Sequence, residues 1–192
     1  MPLDAQDDIA DDALLLLYAN GDGAAARILT VRLTPRVMAH AYRLLGDRAE
    51  AEDVAQEAMM RLWKIAAEWR QGEAKVTTWL YRVVANLCTD RFRKGRNVAL
   101  DSIPEPDDGQ ASVVQNMQDK VRADALQDAL NGLPERQREA VVLRHIEGLA
   151  NPEIALIMDI GVEAVESLTA RGKRSLAAAL AGRRDELGYS DE

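Results

Sequence analysis

Apolar residues recur at spacings of three and four along most of the chain, and this period restricts the fold to packed α-helices. In one stretch Val54, Ala58, Leu62 and Ala66 form a single helical stripe, and Asp47 is a suitable N-cap before it. No segment alternates apolar and polar residues as a half-buried strand does. The sequence therefore predicts an all-α protein, with Gly46 as the C-cap of the second helix and helices at about 12–17, 24–45, 48–69, 78–94, 121–133, 134–148, 151–158 and 162–180.

The aromatic residues indicate two helical units with different cores. Six of the eight lie between Tyr42 and Phe92, and none lies between Phe92 and Tyr189. The stretch between the two units contains Pro, Gly, Asp and Gln without a sustained apolar period, as a linker does. We therefore expect two small helical domains, residues 1–96 and 121–192, joined by a flexible acidic linker, residues 97–120.

Several classes of function are unsupported by the residues present. The chain has one cysteine, Cys88, two distant histidines and no metal-ligand spacing, P-loop, nucleophile elbow or dinucleotide fingerprint. We therefore expect no catalytic residues, no metal and no cofactor, and a buried, inert Cys88. The apolar runs are too short for a membrane helix, so we expect no membrane insertion. The first residues are acidic, so we expect no signal peptide. The single cysteine fits a reducing cytoplasm.

The net charge of −8 alone argues against a nucleic-acid-binding protein. The charge is unevenly distributed, however: residues 70–96 carry seven bases against two acids, and residues 160–184 carry five against two. A single basic stretch is most often a solvated helix face. Two of them within an acidic chain leave nucleic-acid binding open.

The second basic stretch follows a pattern that is typical of a helix-turn-helix. Asn151 and Pro152 form a strong helix start, with Asn151 as the capping residue, and Asp159 to Gly161 form a tight turn into a longer helix. In this motif the second helix enters the major groove. The alternative is an ordinary helical hairpin with a basic end. The predicted outer face of the second helix consists of Glu163, Glu166, Ser167, Ala170, Arg171, Lys173 and Arg174.

At both ends the chain resembles a known family. Region 4 of the bacterial sigma factors is similar to LPERQREAVVLRHIEGLANPEIALIMDIGVEAVESLTARGKRSL. Their region 2 is similar to AEDVAQEAMMRLWK followed by TTWLYRVVANLCTDRFRK. The order, the linker and the short length resemble the extracytoplasmic-function (ECF, group IV) class of the sigma-70 family. The resemblance implies a non-enzymatic, dissociable specificity subunit that directs core RNA polymerase to promoters.

The resemblance also implies roles for residues. The family's −10 element is opened and bound by the helix matching residues 79–94, where Asn86 is the best candidate for a base contact, and a flipped base is bound by the loop matching residues 72–76. The −35 element is bound by the helix beginning at Val162, through the outer face given above. The −10 candidates are Lys75, Arg82, Asn86, Arg91, Arg93, Lys94 and Arg96, and the candidates for binding the β′ coiled coil of the polymerase are Asp53, Gln56, Glu57 and Arg61.

The implied partners are core RNA polymerase, through its β′ coiled coil and β subunit, promoter DNA and an anti-sigma factor. Many family members carry a base where Glu166 stands, and this carboxylate could accept from cytosine N4 or repel phosphate. The acidic linker could follow the polymerase's nucleic-acid channel or be a spacer. Two other functions stay open: a sigma mimic that only sequesters an anti-sigma factor, and a stand-alone helix-turn-helix regulator.

Overall fold

A computed structural model describes residues 9–98 and 115–183, and within these ranges it contains eight α-helices and no strand, which confirms the all-α prediction. None of the helices in these ranges has both the length and the apolar character needed to cross a membrane. The chain divides into two compact units, Met1–Cys88 and Thr89–Glu192. The helices are α1 (Asp11–Ala19), α2 (Gly23–Leu45), α3 (Arg48–Ile65), α4 (Val76–Val98), α5 (Gln115–Asn131), α6 (Glu135–Val141), α7 (Asn151–Met158) and α8 (Val162–Ala181).

The helices of the first unit begin and end at the residues that the sequence marks for these positions. Asp22 precedes α2, and its carboxylate accepts from the Ala24 N–H at 2.8 Å. Gly46 ends α2 in the left-handed conformation, with φ at 72°, as predicted. Asp47 then accepts from the Glu50 N–H at 2.8 Å and caps α3, also as predicted. These caps satisfy backbone groups that a helix end leaves without an internal partner.

The core of the first unit combines leucine side chains with aromatic rings. Leu14 and Leu29 are fully buried, and the His40 ring lies 4.5 Å from the Tyr81 ring. Cys88 is 2% exposed, so the expectation of a buried thiol is confirmed. Trp79 lies in the first turn of α4, and its ring packs edge-to-face on the ring of Trp69, with the ring centroids 6.2 Å apart.

In the second unit, arginine side chains satisfy the backbone at helix ends. The Arg138 guanidinium donates to Asn131 O at 2.8 Å and to Leu133 O at 3.2 Å, in the turn that follows α5. Arg136 donates to Met158 O, the last residue of α7, at 3.3 Å. Each bond joins a charged donor to a carbonyl that the helix leaves without an internal partner. Both turns are therefore held by α6.

Helix α8 approaches α6 closely at Gly172. A Cβ added at this glycine would lie 2.5 Å from Val141 Cγ2 and 3.1 Å from Gln137 O. Val165 lies on the same side of α8 and is fully buried. Because Gly172 and Val165 face inward, they fix which side of α8 faces solvent.

Two predicted boundaries are wrong. The linker prediction of 97–120 is too wide, because α4 extends to Val98 and α5 begins at Gln115, while residues 99–114 lie outside the described residues. Residues 115–120 contain neither Gly nor Pro and have good helix propensity, although they show no amphipathic period. Asn151 is not the capping residue of α7, since the N-cap is Ala150 and the Glu153 carboxylate accepts from its N–H at 3.2 Å.

We expect Gly172→Ala to lower the free energy of unfolding by about 1–3 kcal/mol, the usual range for forcing an extra carbon into a packed core. Urea unfolding followed by far-UV circular dichroism measures the change.

A matched control is Gly182→Ala at the C-terminal end of α8. Its added Cβ would meet nothing nearer than Ala179 O at 3.9 Å. This variant should unfold at the wild-type urea concentration, and equal stability of both variants would contradict the close α6–α8 approach.

Candidate nucleic-acid interface

The turn between α7 and α8 has the geometry of a helix-turn-helix. Asp159 adopts the left-handed conformation, with φ at 54°, and it is the one non-glycine residue with positive φ in the described ranges. Ile160 N–H donates to Ala155 O at 3.1 Å, and Gly161 is extended before α8 begins. Aspartate adopts this conformation more readily than most residues. The predicted tight turn is therefore formed without a glycine at Asp159.

All seven residues predicted on the outer face of α8 are exposed. Their charges are divided along the helix: Glu163 and Glu166 lie in its first two turns, and the three bases lie around its middle, between residues 171 and 174. The Arg171 guanidinium donates to the Ser167 hydroxyl oxygen at 2.7 Å, one turn away. A helix presented in this way can offer acceptors and donors to base edges from its N-terminal turns and cations to phosphates from its middle.

Basic residues of a neighbouring segment extend the basic surface formed by Arg171, Lys173 and Arg174 of α8. Partial burial lowers the pKa of His145, and the charges of Lys173 and Arg144 lower it further. Lys173 therefore lies close enough to the π-helical turn Val142–Ile146 to influence its histidine. Arg144 donates to Leu149 O at 2.8 Å and closes the loop before α7. Arg144 and His145 lie outside the basic stretch 160–184, so the charge pattern of the sequence does not mark them.

Helix α4 presents the first basic surface. Leu80 and Val84 are buried, and the opposite side exposes Arg82, Asn86 and other polar residues. Arg91, a further −10 candidate on this helix, is half-buried. Four of the predicted −10 residues are thus exposed on one helix: Arg82, Asn86, Arg93 and Lys94. The side chain of Arg96 lies outside the described residues.

A cleft of about 440 Å³ lies beside the N-terminal end of α4. Its walls are the loop from Gly72 to Thr77, which includes the exposed Lys75, and the start of α1 at Ala10 to Asp12. Arg32 fixes that start, since its guanidinium lies 2.6 Å from the Asp11 carboxylate. The loop was predicted to take a base, but the contribution of α1 was missed, because Asp11 and Asp12 are distant in sequence from the loop.

Helix α3 presents a third surface, made of Asp53, Gln56, Glu57 and Arg61. The Glu57 carboxylate and the Arg61 guanidinium form an ion pair at 2.8 Å. The hydrogen bond from Arg61 holds the pKa of Glu57 below its ordinary value. Met60 lies among them and is 52% exposed, which the sequence analysis missed because methionine was not sought on a polar face. The surface combines charges with an exposed thioether, as a protein-docking face does.

In the ranges that the structure describes, no group of three or more His, Cys, Asp or Glu side chains is arranged to hold a metal ion.

Comparison with known proteins gives a consistent result. The Sigma-70 region 2 family model matches residues 29–98, and the Sigma-70, region 4 model matches residues 123–176. The ECF RNA polymerase sigma factor SigE of Mycolicibacterium smegmatis is 33% identical over 180 residues, covering 90% of this chain and 69% of that protein. SigW of Bacillus subtilis is 33% identical over 146 residues, covering 70% and 78%.

Solved structures are similar as well. The structure of CnrH in complex with the cytosolic domain of CnrY matches with a TM-score of 0.64 and 25% identity, covering 91% of this chain and 99% of that chain.

Glu139 of α6 is a buried carboxyl near the helix-turn-helix. It lies 3.9 Å from Arg136, the residue that binds the end of α7. Burial raises the pKa of Glu139 to about 7, and Arg136 only partly opposes this effect. The folded protein therefore holds this proton at pH values where the unfolded chain releases it.

The free energy of unfolding should consequently fall as the pH rises from about 4.5 to about 7, because folding takes up a proton in that window. Glu139→Gln keeps the neutral shape at every pH. We expect it to match the wild type near pH 4.5 and to exceed it by up to about 3 kcal/mol at pH 8. Urea unfolding across this range measures the difference, and a difference that does not vary with pH would contradict the assignment.

Proposed function

The chain belongs to the ECF class of the sigma-70 family, and we propose that it is a non-enzymatic specificity subunit that directs core RNA polymerase to promoters. The observation that carries this proposal is the match to two independent regions, 29–98 and 123–176, in the family's order. One helix-turn-helix alone is common to many DNA-binding proteins. The two matched regions together, with an exposed face of mixed charge on α3, fit a subunit that binds both polymerase and DNA.

We assign polymerase docking to α3. Asp53, Gln56, Glu57 and Arg61 match the face through which members of the family bind the β′ coiled coil, and we infer the same role for them here. Their charges set the orientation of the partner and the rate of encounter, while Met60 offers apolar area at the centre of the face. Because Glu57 and Arg61 already pair with each other, Asp53 is the charge most available to the partner.

Promoter contacts fall to both units. In the first predicted domain, residues 1–96, which extends eight residues past the first unit, we assign the −10 element to Lys75, Arg82, Asn86, Arg91, Arg93, Lys94 and Arg96, and a flipped base to the cleft beside Gly72. An opened strand offers unpaired bases to polar side chains while cations hold its phosphates. In the second predicted domain, residues 121–192, the outer face of α8 binds the −35 element as duplex, with Arg171, Lys173 and Arg174 near phosphates or guanine edges.

An anti-sigma factor is the proposed regulator. CnrH is bound to the cytosolic domain of CnrY in the matching solved structure, and we extend that kind of partner to this chain by similarity. Work with polymerase and promoter DNA requires the cytoplasm, which agrees with the single buried Cys88.

Run-off transcription with core polymerase and a panel of ECF-type promoters tests the proposal, and charge reversal supplies the loss of function. We expect the wild-type chain to give promoter-dependent transcripts. Asp53→Lys with Glu57→Lys should weaken core binding by about tenfold or more and remove the transcripts, because the docking field is inverted.

The matched control reverses two exposed acids of α5, Asp119→Lys with Asp124→Lys, which gives the same change in net charge on a helix of the other unit. This variant should bind core polymerase as the wild type does. If the wild type yields no transcript from any promoter, the proposal is contradicted and the sigma mimic, whose only partner is an anti-sigma factor, is favoured. If core binding is absent and duplex binding is tight, the chain is a stand-alone regulator.

The net charge generates a second expectation. A chain of −8 attracts DNA weakly over long range, even though its two basic surfaces are local. At physiological salt we therefore expect the isolated chain to bind promoter DNA no better than unrelated duplex, and the holoenzyme to bind it selectively. Fluorescence anisotropy with labelled duplexes measures both, and tight selective binding by the isolated chain would contradict the expectation.

A further inference from the structure

We propose that Glu166 makes the holoenzyme select a cytosine in the −35 element, by accepting a hydrogen bond from the base's exocyclic amine in the major groove. This inference rests on the proposed sigma function, and it names the base for one position of the promoter.

The position of Glu166 on α8 is set by the packing described above. Val165 and Gly172 face α6 and are buried, so the adjoining Glu166 lies at the edge of the exposed side and belongs to the N-terminal half of the helix. In a helix-turn-helix, residues of this half contact base edges. The bases of α8 begin only at Arg171, more than one helical turn further along the chain.

The carboxylate of Glu166 is available to a ligand. The residues one turn away on α8 are Val162, Glu163, Thr169 and Ala170, so none is a cation with which it could pair. Within residues 115–183, the one hydrogen bond recorded for it comes from the Asn151 amide to Oε1 and is long, at 3.5 Å. Glu57 of α3 differs, because Arg61 occupies its carboxylate at 2.8 Å.

Asn151 gives the carboxylate a direction. It is the first residue of α7 and half-buried, so its amide reaches Glu166 from a neighbouring helix rather than from α8 itself. A carboxylate has two oxygens and accepts several hydrogen bonds, so Oε2 stays open when Asn151 donates to Oε1. Asn151 is therefore a positioning residue for Glu166.

The chemistry of the major groove selects the base. An ionised carboxylate only accepts hydrogen bonds, and the donors available in the groove are the exocyclic amines of cytosine and adenine. Adenine places the N7 lone pair beside its amine, which repels a carboxylate oxygen, whereas cytosine places a C–H there. Guanine and thymine offer acceptors to Glu166. Cytosine is thus the favoured base, and the paired guanine offers its O6 and N7 to a cation.

Selection from a promoter library tests the inference. Holoenzyme is assembled from core polymerase and the full chain, incubated with promoters randomised across the −35 element, and the bound DNA is sequenced. The chains compared are the wild type, Glu166→Ala, Glu166→Gln and Asn151→Ala. The control is Asp124→Asn, which removes one exposed negative charge from α5 and leaves α8 unchanged.

The wild type and Asp124→Asn should enrich cytosine at one position by about fivefold or more over each other base. Glu166→Ala should lose this preference at that position alone. Glu166→Gln should shift it towards adenine, because an amide accepts from N6–H and donates to N7. Asn151→Ala should reduce the preference for cytosine without changing the favoured base.

Three results would overturn the inference alone, and the first two concern Glu166→Ala: an unchanged cytosine preference, or stronger binding to all sequences without any change in preference, as repulsion of phosphate predicts. A wild-type holoenzyme that selects promoters without a cytosine of this kind would also overturn it while leaving the sigma function intact. A holoenzyme that selects no promoter would overturn both.

Discussion

The close approach of α8 to α6 at Gly172 determines the DNA-binding surface of the second unit. With a side chain excluded there and Val165 buried on the same side, α8 has one rotational setting. That setting exposes both the acids of its first two turns and the bases around its middle. Arg136 completes the arrangement, since it extends from α6 to the last carbonyl of α7 and so holds the turn that precedes α8. Which side chains meet a promoter thus follows from a glycine in the protein interior.

Local sequence signals predict the helices well, but they do not predict contacts between residues that are far apart in the sequence. Gly46 and Asp47 act as the cap residues expected, because capping depends on side chains a few residues apart. The role of Asn151 could not be predicted, since its amide is directed towards Glu166, fifteen residues away. Arg138 belongs to the same class: a charged residue in a short helix gives no sign that it will be buried against two carbonyls of the preceding turn.

The interfaces differ in how their charges are compensated, and this decides what each can bind. On α3 the Glu57–Arg61 pair leaves little net charge beside the exposed Met60, which suits another protein. On α4 the exposed bases have few acids near them, which suits a phosphate backbone. On α8 the acids lie in the first two turns and the bases around the middle, so one helix can distinguish bases and hold phosphates. The acidic total of the chain hides these differences, and only the placement of each residue reveals them.

The left-handed conformation of Asp159 has an evolutionary consequence. Asparagine and glycine adopt this conformation more readily than aspartate does, and each differs from it by one nucleotide in the codon. A single point mutation to asparagine or glycine at this position would therefore stabilise the turn. A lineage could use that gain of stability to tolerate destabilising changes on the exposed face of α8, where promoter preference is altered. Divergence of the recognised sequence would then be limited less by stability than by the number of promoters that must change with it.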